Sequence, residues 1–80
     1  ERADNVNKAV AAYQEALEVY RKDQYPQSYC LTAANLGMLL ATEGDKAEAC
    51  RWLKEAYALR EFLPQQGKEI EGLMNEVCPG

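Results

Sequence analysis

Two stretches of this chain, 40 residues apart, carry identical or similar residues at corresponding positions. Ala9, Glu15, Ala16 and Val19 recur as Ala49, Glu55, Ala56 and Leu59, and Tyr13 is answered by Leu53. The stretches that follow each of them also correspond, at an offset of 38: Pro26-Gln27 with Pro64-Gln65, and Leu36 with Met74. A chain that alternates two segment types at this period stacks copies of one supersecondary unit, because a single unit cannot bury its apolar face alone.

The segments read as helices. In residues 5–22 the apolar positions Val6, Val10, Tyr13, Leu17 and Tyr20 are spaced four and three apart, one face of a 3.6-residue period. Asp4 or Asn5 is placed to cap the start. Pro26 disfavours helix at Tyr25 and suits the first turn of a second segment, from 26 or 27 to 43, striped by Tyr29, Ala33, Leu36 and Leu40. Gly37 interrupts that segment at a cost of about 1 kcal/mol against Ala, which implies a packing reason. Gly44 is suited to close the helix in the left-handed conformation. Asp45, with Glu48 three residues on, is suited to open the next as a capping box. So short a turn makes the two helices an antiparallel hairpin. A third segment, 46–62, presents Ala49, Trp52, Leu53, Ala56 and Leu59 on its apolar face, with Leu63 just beyond. After Pro64 a fourth, 65–77, carries Ile70, Leu73, Met74 and Val77.

Asn35-Leu36-Gly37, Leu40, Gly44-Asp45, Ala49, Leu53 and Ala56 together resemble one complete tetratricopeptide repeat. The family's large–Leu-Gly–large pattern, its turn glycine and its small alanines fall in register. Residues 8–20 resemble the second helix of a preceding repeat. Ala33 stands where the family often has Trp, and the closing proline is displaced to Pro64. The period exceeds the roughly 34 residues usual in the family and is similar to the longer repeats of kinesin light chains and many bacterial signalling proteins. The resemblance implies an all-α, right-handed α-solenoid of antiparallel hairpins with about four helices. Within the single unit 1–80, residues 5–22 would be the second helix of one repeat, 27–63 a full repeat, and 65–77 a cap or the first helix of the next.

Composition narrows the function. Eighty residues, 48% hydrophobic and 28% charged, make one small globular unit, and no apolar run approaches the roughly 20 residues of a membrane span. The net charge of −4, with nine basic residues scattered among acids, opposes a nucleic-acid footprint. The chain opens Glu1-Arg2-Ala3-Asp4, without an initiator Met or a signal-peptide pattern, and reads as a piece of a longer protein. The three cysteines, an odd count without a CxxC pair, do not make a disulfide framework. Cys30 and Cys50 are expected as small buried hydrophobes and Cys78 as exposed, which points to a reducing, cytoplasmic compartment.

No catalytic constellation is legible. The chain has no His, and Ser28, Thr32 and Thr42 lack an activating base. There is no phosphate loop, HExxH or EF-hand, so no cofactor or metal is expected. Glu15 with Glu18, Glu69 with Glu71, and Lys54 with Glu55 read as solvated faces. The resemblance implies instead a non-catalytic scaffold that binds a peptide or a partner helix on the concave face, where register places Leu31, Ala34, Asn35, Met38 and Thr42. Asn35 matches an Asn that often holds peptide backbone in the family. The lysines of the family's carboxylate clamp are absent, so an acidic C-terminal tail is not the expected ligand. An oligomerisation element associating through exposed repeat ends, or a regulatory arm of a larger enzyme-containing protein, is the alternative.

Overall fold

The computed structural model describes residues 2–79, with side chains from residue 4 onward. Among these the chain is all-helical: α1 (Arg2–Val19), α2 (Pro26–Thr42), α3 (Lys46–Ala58), a 3-10 turn at Arg60–Phe62, and α4 (Gly67–Val77). The helix α2 is the centre. It packs against α3 most extensively, carries α1 on one flank and touches α4 on the other.

The α2–α3 turn follows from three residues. Gly44 has φ +91°, in the left-handed region. Its N–H donates to the Ala41 carbonyl at 3.1 Å, while that of Asp45 reaches the Leu40 carbonyl at 2.9 Å. Those two bonds make a Schellman motif that satisfies the last carbonyls of α2. Asp45 then caps α3, its Oδ1 accepting from the Glu48 N–H at 3.3 Å. The reciprocal half of the expected capping box does not form. The Asp45 N–H is already committed to Leu40, and the Glu48 carboxylate turns to Arg51 at 3.4 Å.

Small residues let the hairpin close. Cys30, Ala33 and Leu36 of α2 and Ala49, Leu53 and Ala56 of α3 are fully buried. Each leucine so buried contributes about 1.5–3 kcal/mol. Leu17 of α1 and Ile70 of α4 close the core from the two flanks.

The helix ends shift from their sequence positions. The first helix starts at Arg2, so Asp4 lies in its first turn, where a carboxylate complements the helix dipole, instead of capping. It ends at Val19, because residues 20–25 form a turn in which the Tyr25 N–H donates to the Arg21 carbonyl at 2.7 Å. Tyr20 and Tyr25 meet edge to face across it, with ring centroids 5.6 Å apart. The third helix stops at Ala58, where the Leu59 N–H tightens onto the Ala56 carbonyl and the Arg60 guanidinium caps the Tyr57 carbonyl at 2.9 Å.

Cys30 and Cys50 are buried as expected, but the pairing of the cysteines departs from expectation and Cys78 is half-buried. Cys50 and Cys78 form a disulfide, and Cys30 is a buried free thiol. The cause is tertiary: α4 packs along α3, and Cys78, just past its C-terminus, meets Cys50 near the start of α3. The reading of a reducing compartment rested on all three being thiols. Disulfides form and persist in oxidising surroundings, so the cytoplasmic expectation loses that support. No helix among the described residues is long and apolar enough to cross a membrane.

Candidate binding groove between the second and fourth helices

Helix α2 carries no charged residue from Pro26 to Thr42. One face of it packs into the hairpin, and the opposite face holds the expected partner-binding positions. Leu31 and Met38 are 43% and 44% exposed, high values for large apolar side chains that a hairpin could have buried. Asn35 is half-buried between them, and its amide makes no hydrogen bond to any described residue. Ala34, by contrast, is only 7% exposed and belongs to the core shared with Ile70. Thr42 is exposed, but its hydroxyl donates to the Met38 carbonyl of its own helix at 2.9 Å. Of the five positions, Leu31, Asn35 and Met38 therefore keep side-chain groups open to solvent.

The other wall comes from α4. Burial of Ile70 turns that helix so that Glu69, Gly72, Leu73 and Glu76 face Met38 across an open, shallow groove of about 400 Å³, whose lining does not include Leu31 or Asn35. Gly72 has nothing within 4 Å of where a Cβ would stand, which keeps this wall low and open. The disulfide fixes the far end of α4 to α3 and so holds the wall in place. Among the described residues neither Glu69 nor Glu76 has a cationic partner, whereas Glu71 points away and accepts from the Tyr57 hydroxyl at 3.5 Å.

A polar junction behind the groove was not legible in the sequence. The Tyr29 hydroxyl donates to Glu55 Oε1 at 3.0 Å, and Lys22 Nζ lies 3.6 Å from the same oxygen. Glu55 is thus a half-buried tie between α3, α2 and the α1–α2 turn, where sequence reading placed a solvated charge. Burial, reinforced by the bond to the Glu55 carboxylate and its charge, pushes the Tyr29 phenol up to about 12. Tyr29 consequently stays protonated at neutral pH and acts as a donor. Burial likewise pushes up the Cys30 thiol, whose Sγ sits 3.3 Å from the Ala56 carbonyl oxygen. Neither perturbed group is in the form that attacks a substrate.

Elsewhere the exposed charges are of mixed sign, with ion pairs at Lys22–Glu55 and Arg51–Glu48. A second recess of about 400 Å³ between α3 and α4 is lined by Tyr57, Arg60, Glu61, Lys68 and Glu71, with the Arg60 guanidinium 3.9 Å over the Tyr57 ring. Trp52 packs its ring on the core beneath Arg51, and its indole N–H is buried without a partner among the described residues. Among the described residues no three His, Cys, Asp or Glu side chains gather as metal ligands would. No family model, curated protein or solved structure matches the chain.

Proposed function

We propose that this chain is a non-catalytic, tetratricopeptide-like interaction module that holds a peptide or partner helix in the groove between α2 and α4. The observation that carries the reading is the charge-free face of α2, on which Leu31 and Met38 stay exposed, Met38 opposite Leu73 of α4, while the Asn35 amide between them has no hydrogen bond among the described residues. Apolar anchors with one free polar group are what an amphipathic or extended segment needs. The hairpin itself supports the repeat reading, since Gly37, Ala49 and Ala56 set the close approach of α2 and α3. So does the outline of 37 × 32 × 17 Å. Hairpins stacked side by side make such a slab, whereas a four-helix bundle has two short dimensions.

The test is selection of binders from a random peptide display library, followed by titration against wild type and Met38→Gln. The reading expects binders whose affinity drops at least tenfold in Met38→Gln while thermal unfolding is unchanged. Selected peptides that bind both proteins alike would place the binding surface elsewhere.

A second reading has its own observation. Val19 is 65% exposed, and Tyr20, Tyr25 and Phe62 are exposed near it at the other end of the helices. An apolar surface of this kind suits self-association of repeat ends. Light scattering across a concentration series separates the two, because a persistent monomer removes the self-association reading and leaves the groove untouched.

A further inference from the structure

We infer that the occupant of the α2–α4 groove is a cationic, amphipathic segment of another polypeptide, a deepening that rests on the groove reading above. The groove has a definite sign. Among the described residues, α2 contributes the uncharged Met38 to its lining, and the charged lining groups are the exposed carboxylates Glu69 and Glu76 of α4, neither with a cationic partner. Of the basic side chains on neighbouring elements, Lys68 lines another recess with Tyr57 and Glu71, and Lys46 lines a recess at the end of α4 that Glu76 shares, without an ion pair between them.

The spacing is also definite. Glu69 and Glu76 are seven residues apart on α4, about 10 Å along the helix axis. Leu31 and Met38 are seven apart on α2, the same length of apolar strip. A segment that fits the groove carries apolar side chains for Met38 and Leu73, with Leu31 further along the same helix, and two basic side chains about 10 Å apart for the carboxylates. An acidic segment meets two unpaired like charges beside an apolar floor, which opposes it.

The experiment uses the whole chain with its disulfide intact. The probe is a synthetic 15-residue helix of Leu and Lys with the leucines on one face, and its counterpart has Glu at every Lys position. Binding is followed by tryptophan fluorescence and calorimetry. The inference expects the Leu/Lys peptide to bind and the Leu/Glu peptide not to bind. It also expects the double variant Glu69→Gln, Glu76→Gln to weaken Leu/Lys binding about fivefold, as two exposed ion pairs would. The variant Glu15→Gln, Glu18→Gln, with the same change in net charge on α1, should bind like wild type. Equal binding of the two peptides, or equal losses in the two double variants, overturns the inference. Met38→Gln distinguishes what else fails. If Met38→Gln loses binding while the Glu69, Glu76 variant does not, the groove stands and its charge preference falls. If neither variant loses binding, both readings fall.

Discussion

A Cβ placed on Gly37 would stand 2.7 Å from Leu53 Cγ. It would also lie 3.0 Å from Leu53 Cδ2 and 3.2 Å from the Ala49 carbonyl oxygen. The glycine that weakens α2 as a helix is thus what lets α3 lie against it. Leu53 is fully buried, and the added Cβ would meet its branch carbon, not a flexible tip.

Gly37→Ala is therefore expected to destabilise the fold, although it improves intrinsic helix propensity by about 1 kcal/mol. Overpacking of a tight contact costs about 1–3 kcal/mol, and here it wins. Gly72→Ala is the control: it meets nothing within 4 Å and is expected to stabilise by up to about 1 kcal/mol. Urea unfolding of the two variants checks the pair, and the opposite signs are the prediction.

Tyr29 gives the fold an alkaline limit. Its folded-state pKa is raised to about 12 from an ordinary value of 10.0. The folded state thus binds the phenolic proton more tightly than the unfolded state. The associated stability is fully present below about pH 10 and is lost as pH climbs from there towards about 12. Tyr29→Phe should cost about 1 kcal/mol at neutral pH through the lost bond to Glu55. It should also remove this part of the alkaline decline, so the wild-type and variant stabilities converge with rising pH. Chemical denaturation at several pH values between 8 and 11 measures the convergence.

The Cys50–Cys78 bridge closes a loop across a sequence separation of 28. In the chain-entropy picture a loop of that size contributes about 3–4 kcal/mol. Cys50→Ala combined with Cys78→Ala is expected to lose that amount. Its main structural effect should be release of α4, because α3 and α2 hold each other without it. Hydrogen exchange should show lost protection in residues 67–77 before the α2–α3 hairpin, and uniform loss of protection would contradict this.

Cys30 is fully buried and its thiol is disfavoured as thiolate. The oxidised native protein is expected to show no fast reaction with a thiol reagent, and one thiol per chain once denatured. A fast-reacting thiol in the native state would mean that Cys50 and Cys78 are not paired, or that the hairpin opens readily.

Sequence reading found the helices and their hairpin because those depend on local chemistry. Pro26 starts α2, Gly44 and Asp45 make the turn, and the 3.6-residue stripe marks the faces. What it missed lies across the hairpin. Glu55 pairs with Tyr29 from 26 residues away, and nothing in its immediate sequence separates it from a solvated carboxylate. Cys78 finds Cys50 only because α4 packs back along α3, which spacing alone does not specify. Of the proposed groove, one wall was visible. Register on α2 pointed to Leu31, Asn35 and Met38, but it also took in Ala34, which the core claims. The opposite wall depends on which face of α4 Ile70 turns inward, and so Glu69, Leu73 and Glu76 became legible only in three dimensions.

The account stands or falls on where a ligand lies. Amide chemical-shift mapping of a peptide selected from a display library is the most direct measurement. The account predicts a contiguous set of perturbed amides at Leu31, Asn35 and Met38 on α2 and at Glu69, Leu73 and Glu76 on α4. Perturbations confined to Val19, Tyr20, Tyr25 and Phe62 would contradict it, and would make the exposed aromatic end the binding surface instead.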